Sequence, residues 1–276
     1  MLVMDAIAQI LKREGIETLF CFPTTPIIEA AVAAGIKPVI CRQERVGVDM
    51  ASGFARTING RPPAAFAMQY GPGAENAFPG IATAFSDSSP VLLLPLGHPR
   101  DVAHTFPMFN ATRTYASVTK SVEPITLPGQ TGAVMRRAFN ALKNGRLGPT
   151  MVEVPMDVVK AKLDGMPDYE VVRPVRSAGD PGDIDRAATM LLEARTPLIY
   201  AGQGVLYAEA SDELEALADL LQAPVMTSVD GKSCFPEDHP LALGTGGIVY
   251  TGHGHHVLAR ARSEEHTSEL QSRSVI

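Results

Sequence analysis

Residues 42–56, RQERVGVDMASGFAR, decide the fold. Just before them Pro38-Val39-Ile40-Cys41 reads as a strand. After Arg42 and the lone acid Glu44 comes a helix carrying Gly47, Met50, Ala51, Gly53, Phe54 and Ala55. Glu44 therefore stands where a parallel strand meets the N-terminus of a helix, and ligands of open α/β sheets gather at that edge. The helix dipole favours the ionised carboxylate, whereas an apolar surround opposes it. Two readings of Glu44 stay open on this ground alone. It is either an acid in a dipole contact or surface ion pair with Arg42 or Arg45, or a carboxylate that holds a base-like nitrogen of a cofactor.

Outward from this stretch, strand and helix signals alternate. Toward the N-terminus lie a helix from Met4 to Glu14 closed by Gly15, a strand from Thr18 to Phe22, and a helix from Ile27 to Ala34 closed by Gly35. Toward the C-terminus lie a strand over 64–68, the turn Gly71-Pro72-Gly73, a helix over 74–85 and a strand over 91–96. Residues 98–116 are irregular, with a short helix. A helix over 129–143 ends at Asn144-Gly145, and a strand over 150–154 closes the domain. Alternation of this kind, with near-continuous apolar strands, predicts a parallel sheet covered on both faces.

Residues 160–183 lose the apolar period and gain Lys, Asp, Pro and Gly, which reads as an interdomain linker, bounded here at 161–183. A second α/β pattern begins at 184, with a helix over 184–194, a strand over 197–201, Gly202-Gln203-Gly204, a helix over 211–221 and a strand over 224–228. The expected organisation is a first domain over 1–160 and a second, incomplete one over 184–261. Residues 262–272, RSEEHTSELQS, are polar and patternless and match the in-frame translation of a sequencing adapter. Residues 262–276 are therefore expected to be a non-native tail on a chain cut near Ala261.

Composition narrows the class. The 276 residues are 45% hydrophobic, enough for sizeable cores. A net charge of −6 with no basic block argues against a nucleic-acid partner. The longest apolar runs fall far short of the ~20 residues that cross a bilayer. The N-terminus lacks a basic region and cleavage site, so a cytoplasmic protein without a membrane partner is expected. Cys21, Cys41 and Cys234 have no CxxC spacing, and Cys21 and Cys41, in apolar strands, read as buried thiols. His253, His255 and His256 lack nearby Cys or acid partners and read as a polar helix start.

The ordered motifs resemble the pyrimidine-binding domain of thiamine-diphosphate enzymes of the acetolactate synthase type. That family has a strand ending in R-H-E, a helix reading GxxxMAxGYAR, and a TSGPGxxN loop. Arg42, Glu44, Met50, Ala51, Gly53, Ala55, Arg56, Gly71-Pro72-Gly73 and Asn76 match it. Gln43, Phe54 and Gln69-Tyr70 depart from it. Residues 199–205 (IYAGQGV) and 221–244 (LQAPVMTSVDGKSCFPEDHPLALG) resemble the central domain of the same enzymes, a Rossmann-like fold that is truncated here.

The resemblance implies thiamine diphosphate as cofactor, with Glu44 catalytic through a hydrogen bond to N1′ of the aminopyrimidine. Pro23, Gly71, Pro72, Gly73 and Asn76 line the cofactor. Gly71-Pro72-Gly73 also reads as an ordinary strand-to-helix turn, and Asn76 as a cap of its own helix. Pro23 matches the family, but Thr24 and Thr25 do not. Arg146, in Gly145-Arg146-Leu147-Gly148-Pro149, matches an arginine that contacts the flavin nucleotide in FAD-binding members; a generic turn arginine is the other reading. His98, His104 and Lys120 lie in or after the segment that faces the thiazolium in relatives. Phe109-Asn110-Ala111 replaces their Phe-Gln-Glu run.

The implied activity is decarboxylation of a small 2-oxo acid and transfer of its two-carbon unit by a full-length homo-oligomer. Mg²⁺ would be held by a domain beyond this chain, which is expected to be inactive alone. An oxalyl-CoA decarboxylase-like or sulfoacetaldehyde acetyltransferase-like enzyme is the alternative within the class. A non-catalytic nucleotide-binding α/β protein is the alternative outside it.

Overall fold

The computed structural model describes residues 1–246 except 24, 25 and 104, together with 252, 254 and 257. Two compact units divide the chain, Met1–Arg176 and Ser177–Ile276.

In the first unit the helices are α1 (Val3–Arg13), α2 (Ile27–Ala33), α3 (Glu44–Thr57), α4 (Pro72–Ser86), α5 (Ala111–Tyr115), α6 (Thr131–Lys143) and α7 (Met156–Val159). The strands are β1 (Thr18–Cys21), β2 (Lys37–Ile40), β3 (Ala64–Met68), β4 (Val91–Gly97), β5 (Val122–Pro124) and β6 (Thr150–Pro155). They form one sheet in the order β2-β1-β3-β4-β6-β5, and every pair is parallel. The parallel sheet read from the alternating signals is thus present.

Register explains why both faces are apolar. Val39, Phe20, Phe66, Leu93, Met151 and Val122 are aligned across all six strands. That row belongs to the core built with α3, α4 and α5. The alternate residues, among them Leu19, Ala65, Leu92 and Val152, face the core built with α1, α2 and α6. Gly47 lets α3 lie close on the sheet, because a Cβ there would stand 2.3 Å from the Phe66 ring and 2.6 Å from Cys41 Sγ. Cys21 and Cys41 are buried free thiols, as their apolar strands predicted, and Cys234 is a buried free thiol as well.

Residues 161–176, read from composition as linker, fold onto the first unit. Ala161, Leu163, Met166, Tyr169 and Val172 join the α1–α6 core. The anchor is Glu14, which closes α1 and whose side chain is buried. Tyr169 donates its hydroxyl to Glu14 Oε1 at 2.5 Å and the Val172 amide donates to the same oxygen at 3.0 Å. Lys143 pairs with Glu14 Oε2. Composition hid this strap, because it is held by one buried acid rather than by an apolar period.

The second unit contains α8 (Pro181–Glu193), α9 (Gln203–Ala208) and α10 (Ser211–Leu221), with the parallel sheet β7 (Ile199–Ala201), β8 (Val225–Thr227) and β9 (Ala242–Thr245). Helix α8 begins three residues before the sequence-based start. Asp180 is its N-cap, accepting from the amides of Gly182 and Asp183, and Pro181 occupies its first turn. The Asp-Pro-Gly-Asp run is thus a helix start, not linker. Strand β9 was not anticipated, since Gly244 at φ +77° interrupts its apolar run.

Candidate active site

The parallel sheet brings the carboxyl ends of β1, β2, β3 and β4 to one edge. Glu44 is the first residue of α3 there, yet it does not project into solvent: it is 6% exposed. Asn76, in the first turns of α4, donates its side-chain amide to Glu44 Oε2 at 2.9 Å. Oε1 rests against Gly73, where a Cβ would lie 2.8 Å from that oxygen and 3.0 Å from Gln69 Cβ. The acid is therefore oriented by one element and given room by another. Neither Arg42 nor Arg45 forms an ion pair with it; both are exposed.

Gly71 caps α4 with φ +54° and ψ −112°, backbone angles that suit only glycine. Pro72 follows at the first helical position, where its missing N–H costs nothing. The far side of the turn meets His98 at the end of β4. A Cβ on Gly71 would stand 3.8 Å from His98 Nε2. The His98 ring meets Tyr70 edge-on, with centroids 5.0 Å apart.

Tyr115, fully buried on α5, donates its hydroxyl to the Ala74 carbonyl at 2.5 Å and sets its ring against Phe78. Burial holds its phenol well above the usual range, so it remains a donor. The short irregular helix read in the sequence thus clamps the start of α4. No motif marked Tyr115, because its role depends on a contact 41 residues away.

Other sequence candidates lie elsewhere. Pro23 follows β1 at the same carboxyl edge and is exposed. Arg146 precedes β6 and so lies at the opposite, amino edge. It donates from Nε to Ser88 Oγ at 2.7 Å and from Nη2 to the Ser86 carbonyl at 3.2 Å, closing the C-terminal end of α4. Lys120, before β5, closes the end of α6 by donating to the carbonyls of Ala141 and Asn144. Burial lowers its pKa. The topology therefore separates both cations from Glu44. His104, His253, His255, His256 and the segment 262–276 fall outside the described residues.

Glu153 escaped the sequence reading. It lies on β6 against Gly97, where a Cβ would stand 2.9 Å from its carboxyl carbon. Burial pushes its pKa up to about 7. The available signal was one acid inside the apolar run TMVEV.

Comparison with known proteins places this geometry. The family described as "Thiamine pyrophosphate enzyme, N-terminal TPP binding domain" matches residues 1–118, which contain Glu44, Gly71, Gly73, Asn76, His98 and Tyr115. "Thiamine pyrophosphate enzyme, central domain" matches residues 184–261. The chain belongs to the thiamine pyrophosphate enzymes. A probable acetolactate synthase large subunit of Methanocaldococcus jannaschii is 35% identical over 260 residues, 88% of this chain and 43% of that protein. An acetolactate synthase of Arthrospira platensis is 32% identical over 258 residues, 88% of this chain and 44% of that protein. A glyoxylate carboligase of Escherichia coli O157:H7 is 30% identical over 255 residues, 90% and 43% respectively. The thiamine pyrophosphate enzyme chain thus spans less than half the length of these curated relatives.

A solved structure described as a candidate thiamin diphosphate-dependent enzyme from Mycobacterium smegmatis shares the fold. Its TM-score is 0.79 at 24% identity, over 90% of this chain and 48% of that one. The residues present fit the aminopyrimidine end of thiamine diphosphate: a buried carboxylate, oriented by an amide, lies beside a turn built from glycines. Among the described residues no group of three or more His, Cys, Asp or Glu could hold a metal ion. No described helix is long and apolar enough to cross a membrane.

Proposed function

We propose that this chain supplies the pyrimidine-binding part of a thiamine-diphosphate site in an enzyme that decarboxylates a 2-oxo acid and passes on the two-carbon unit, in the manner of acetolactate synthase. The observation that carries the reading is the buried Glu44 carboxylate, held by Asn76 against Gly73. When bound, the cofactor supplies a carbanion at its thiazolium C2. Glu44 holds a proton at a ring nitrogen of the pyrimidine. Asn76 fixes Oε2, so that one oxygen remains to face the ligand. Tyr115 keeps the turn in place while that proton moves.

The diphosphate and its Mg²⁺ belong, in this proposal, to parts of the enzyme that the relatives have beyond the matched span. Flavin at Arg146 is not required, because that guanidinium already serves the end of α4. A second copy of the chain fits α3, whose Val46, Met50 and Phe54 recur every fourth residue and are exposed. Asn110, the residue that replaces the family Gln, accepts from the Arg113 amide as the N-cap of α5. Its side chain is thereby committed locally, which supports a donor or acceptor substrate other than that of acetolactate synthase.

Calorimetric titration of the chain with thiamine diphosphate and Mg²⁺ tests the proposal. Weak saturable binding that vanishes in Glu44→Ala is expected, without pyruvate consumption. Equal binding by wild type and Glu44→Ala would sink the assigned role.

A further inference from the structure

His98 stands apart from every hydrogen-bonding role described so far. Its Nε2 is buried and has no hydrogen-bond partner. An imidazole nitrogen in that state carries an uncompensated desolvation cost unless something else satisfies it. The surroundings are ordered: the ring leans on Tyr70, and Nε2 points at the back of Gly71. A Cβ on Gly71 would stand 3.8 Å from His98 Nε2, and one on Gly73 would stand 2.8 Å from Glu44 Oε1. The turn is thus bracketed by an imidazole and a carboxylate. Only Glu44 occupies space that a side chain on its glycine would contest; His98 stands at ordinary contact distance from Gly71.

We propose that His98 is a ligand-contacting residue, whose Nε2 hydrogen-bonds the aminopyrimidine compound that seats on the Gly71–Gly73 turn. The inference rests on the thiamine-diphosphate reading and extends it by one residue. A neutral imidazole can present Nε2 as donor or acceptor, whereas Tyr70 serves only to hold the ring plane. The alternative is a histidine kept for its contact with Tyr70.

Three variants separate these roles. His98→Phe keeps a ring against Tyr70 and removes the nitrogen. His98→Ala removes both, and His98→Gln restores a polar group near the position of Nε2. Affinity for thiamine diphosphate with Mg²⁺ is measured by calorimetry. The His98 ring nitrogens are followed by NMR in ¹⁵N-histidine-labelled chain, the resonance being assigned by its loss in His98→Gln.

We expect about tenfold weaker binding in His98→Phe and His98→Ala, the loss of one hydrogen bond, and binding within about threefold of wild type in His98→Gln. The wild-type Nε2 signal should move on titration, and thermal stability should fall only in His98→Ala. Unchanged affinity in His98→Phe, or a static Nε2 signal during saturable binding that Glu44→Ala abolishes, overturns the proposal and leaves the cofactor reading standing. No binding by the wild type overturns both.

Discussion

Glu44 and Gly73, 29 residues apart in the chain, share one small volume: Oε1 of the acid lies 2.8 Å from the point that a β-carbon on the glycine would occupy. Gly73→Ala must therefore displace the carboxylate or the turn. Overpacking of this kind costs about 1–3 kcal/mol. Denaturant unfolding should register that loss, and thiamine-diphosphate affinity should fall by more than stability does. An alanine variant with normal affinity would show that the acid can yield without consequence.

Asn76 orients Glu44 through a single amide. Asn76→Ala should cost binding about 1.5–3 kcal/mol, the range for a hydrogen bond to a charged group. Asn76→Leu should behave alike, since size does not replace the donor. Calorimetry on both variants checks this, and circular dichroism should show an unaltered fold.

Glu153 should make stability depend on pH. Its folded pKa, about 7, lies above the ordinary 4.5, so the folded state binds the extra proton between those values. Stability then falls as pH rises from about 4.5 to 7 and stays low above it, by up to roughly 2–3 kcal/mol. Glu153→Gln should flatten that slope and be more stable than wild type at pH 8. Chemical denaturation from pH 4 to pH 8 is the measurement; parallel curves for the two proteins would refute the burial-driven shift.

The strap over residues 161–176 should depend on Glu14. Lys143→Met leaves the buried carboxylate without its cation, a change that costs about 3–5 kcal/mol. Tyr169→Phe removes one donor to the same carboxylate and should cost about 1.5–3 kcal/mol. Hydrogen exchange should locate the effect, with the Val172 amide losing protection first in both variants.

Helix α8 exposes Ile184, Met190 and Leu192 at 55%, 66% and 76%. Replacing all three by Gln should change unfolding free energy by no more than about 0.5 kcal/mol per site. Light scattering should report less self-association, because three exposed apolar side chains are gone. A large loss of stability would mean that the helix covers a core.

The sequence by itself determined the class of the fold and singled out Glu44 as the acid at a strand–helix junction. Near-continuous apolar runs separated by helical patterns leave a parallel, doubly covered sheet as the economical solution, and that sheet puts Glu44 and the Gly71-Pro72-Gly73 turn at one edge. What it did not determine were the relationships that depend on long-range approach. Tyr115 became a clamp only when α5 met Ala74, and Glu153 a half-buried acid only beside Gly97. His98 faced Gly71 only once β3 and β4 were in register. Arg146 and Lys120 look like site cations in one dimension, yet a parallel strand carries its preceding loop to the edge opposite the one reached by its following loop. The 161–176 strap was hidden for a related reason, because one buried carboxylate with three donors leaves no periodic trace. Local pattern encodes which surfaces must be buried; which side chains then meet is decided by sheet register and helix docking.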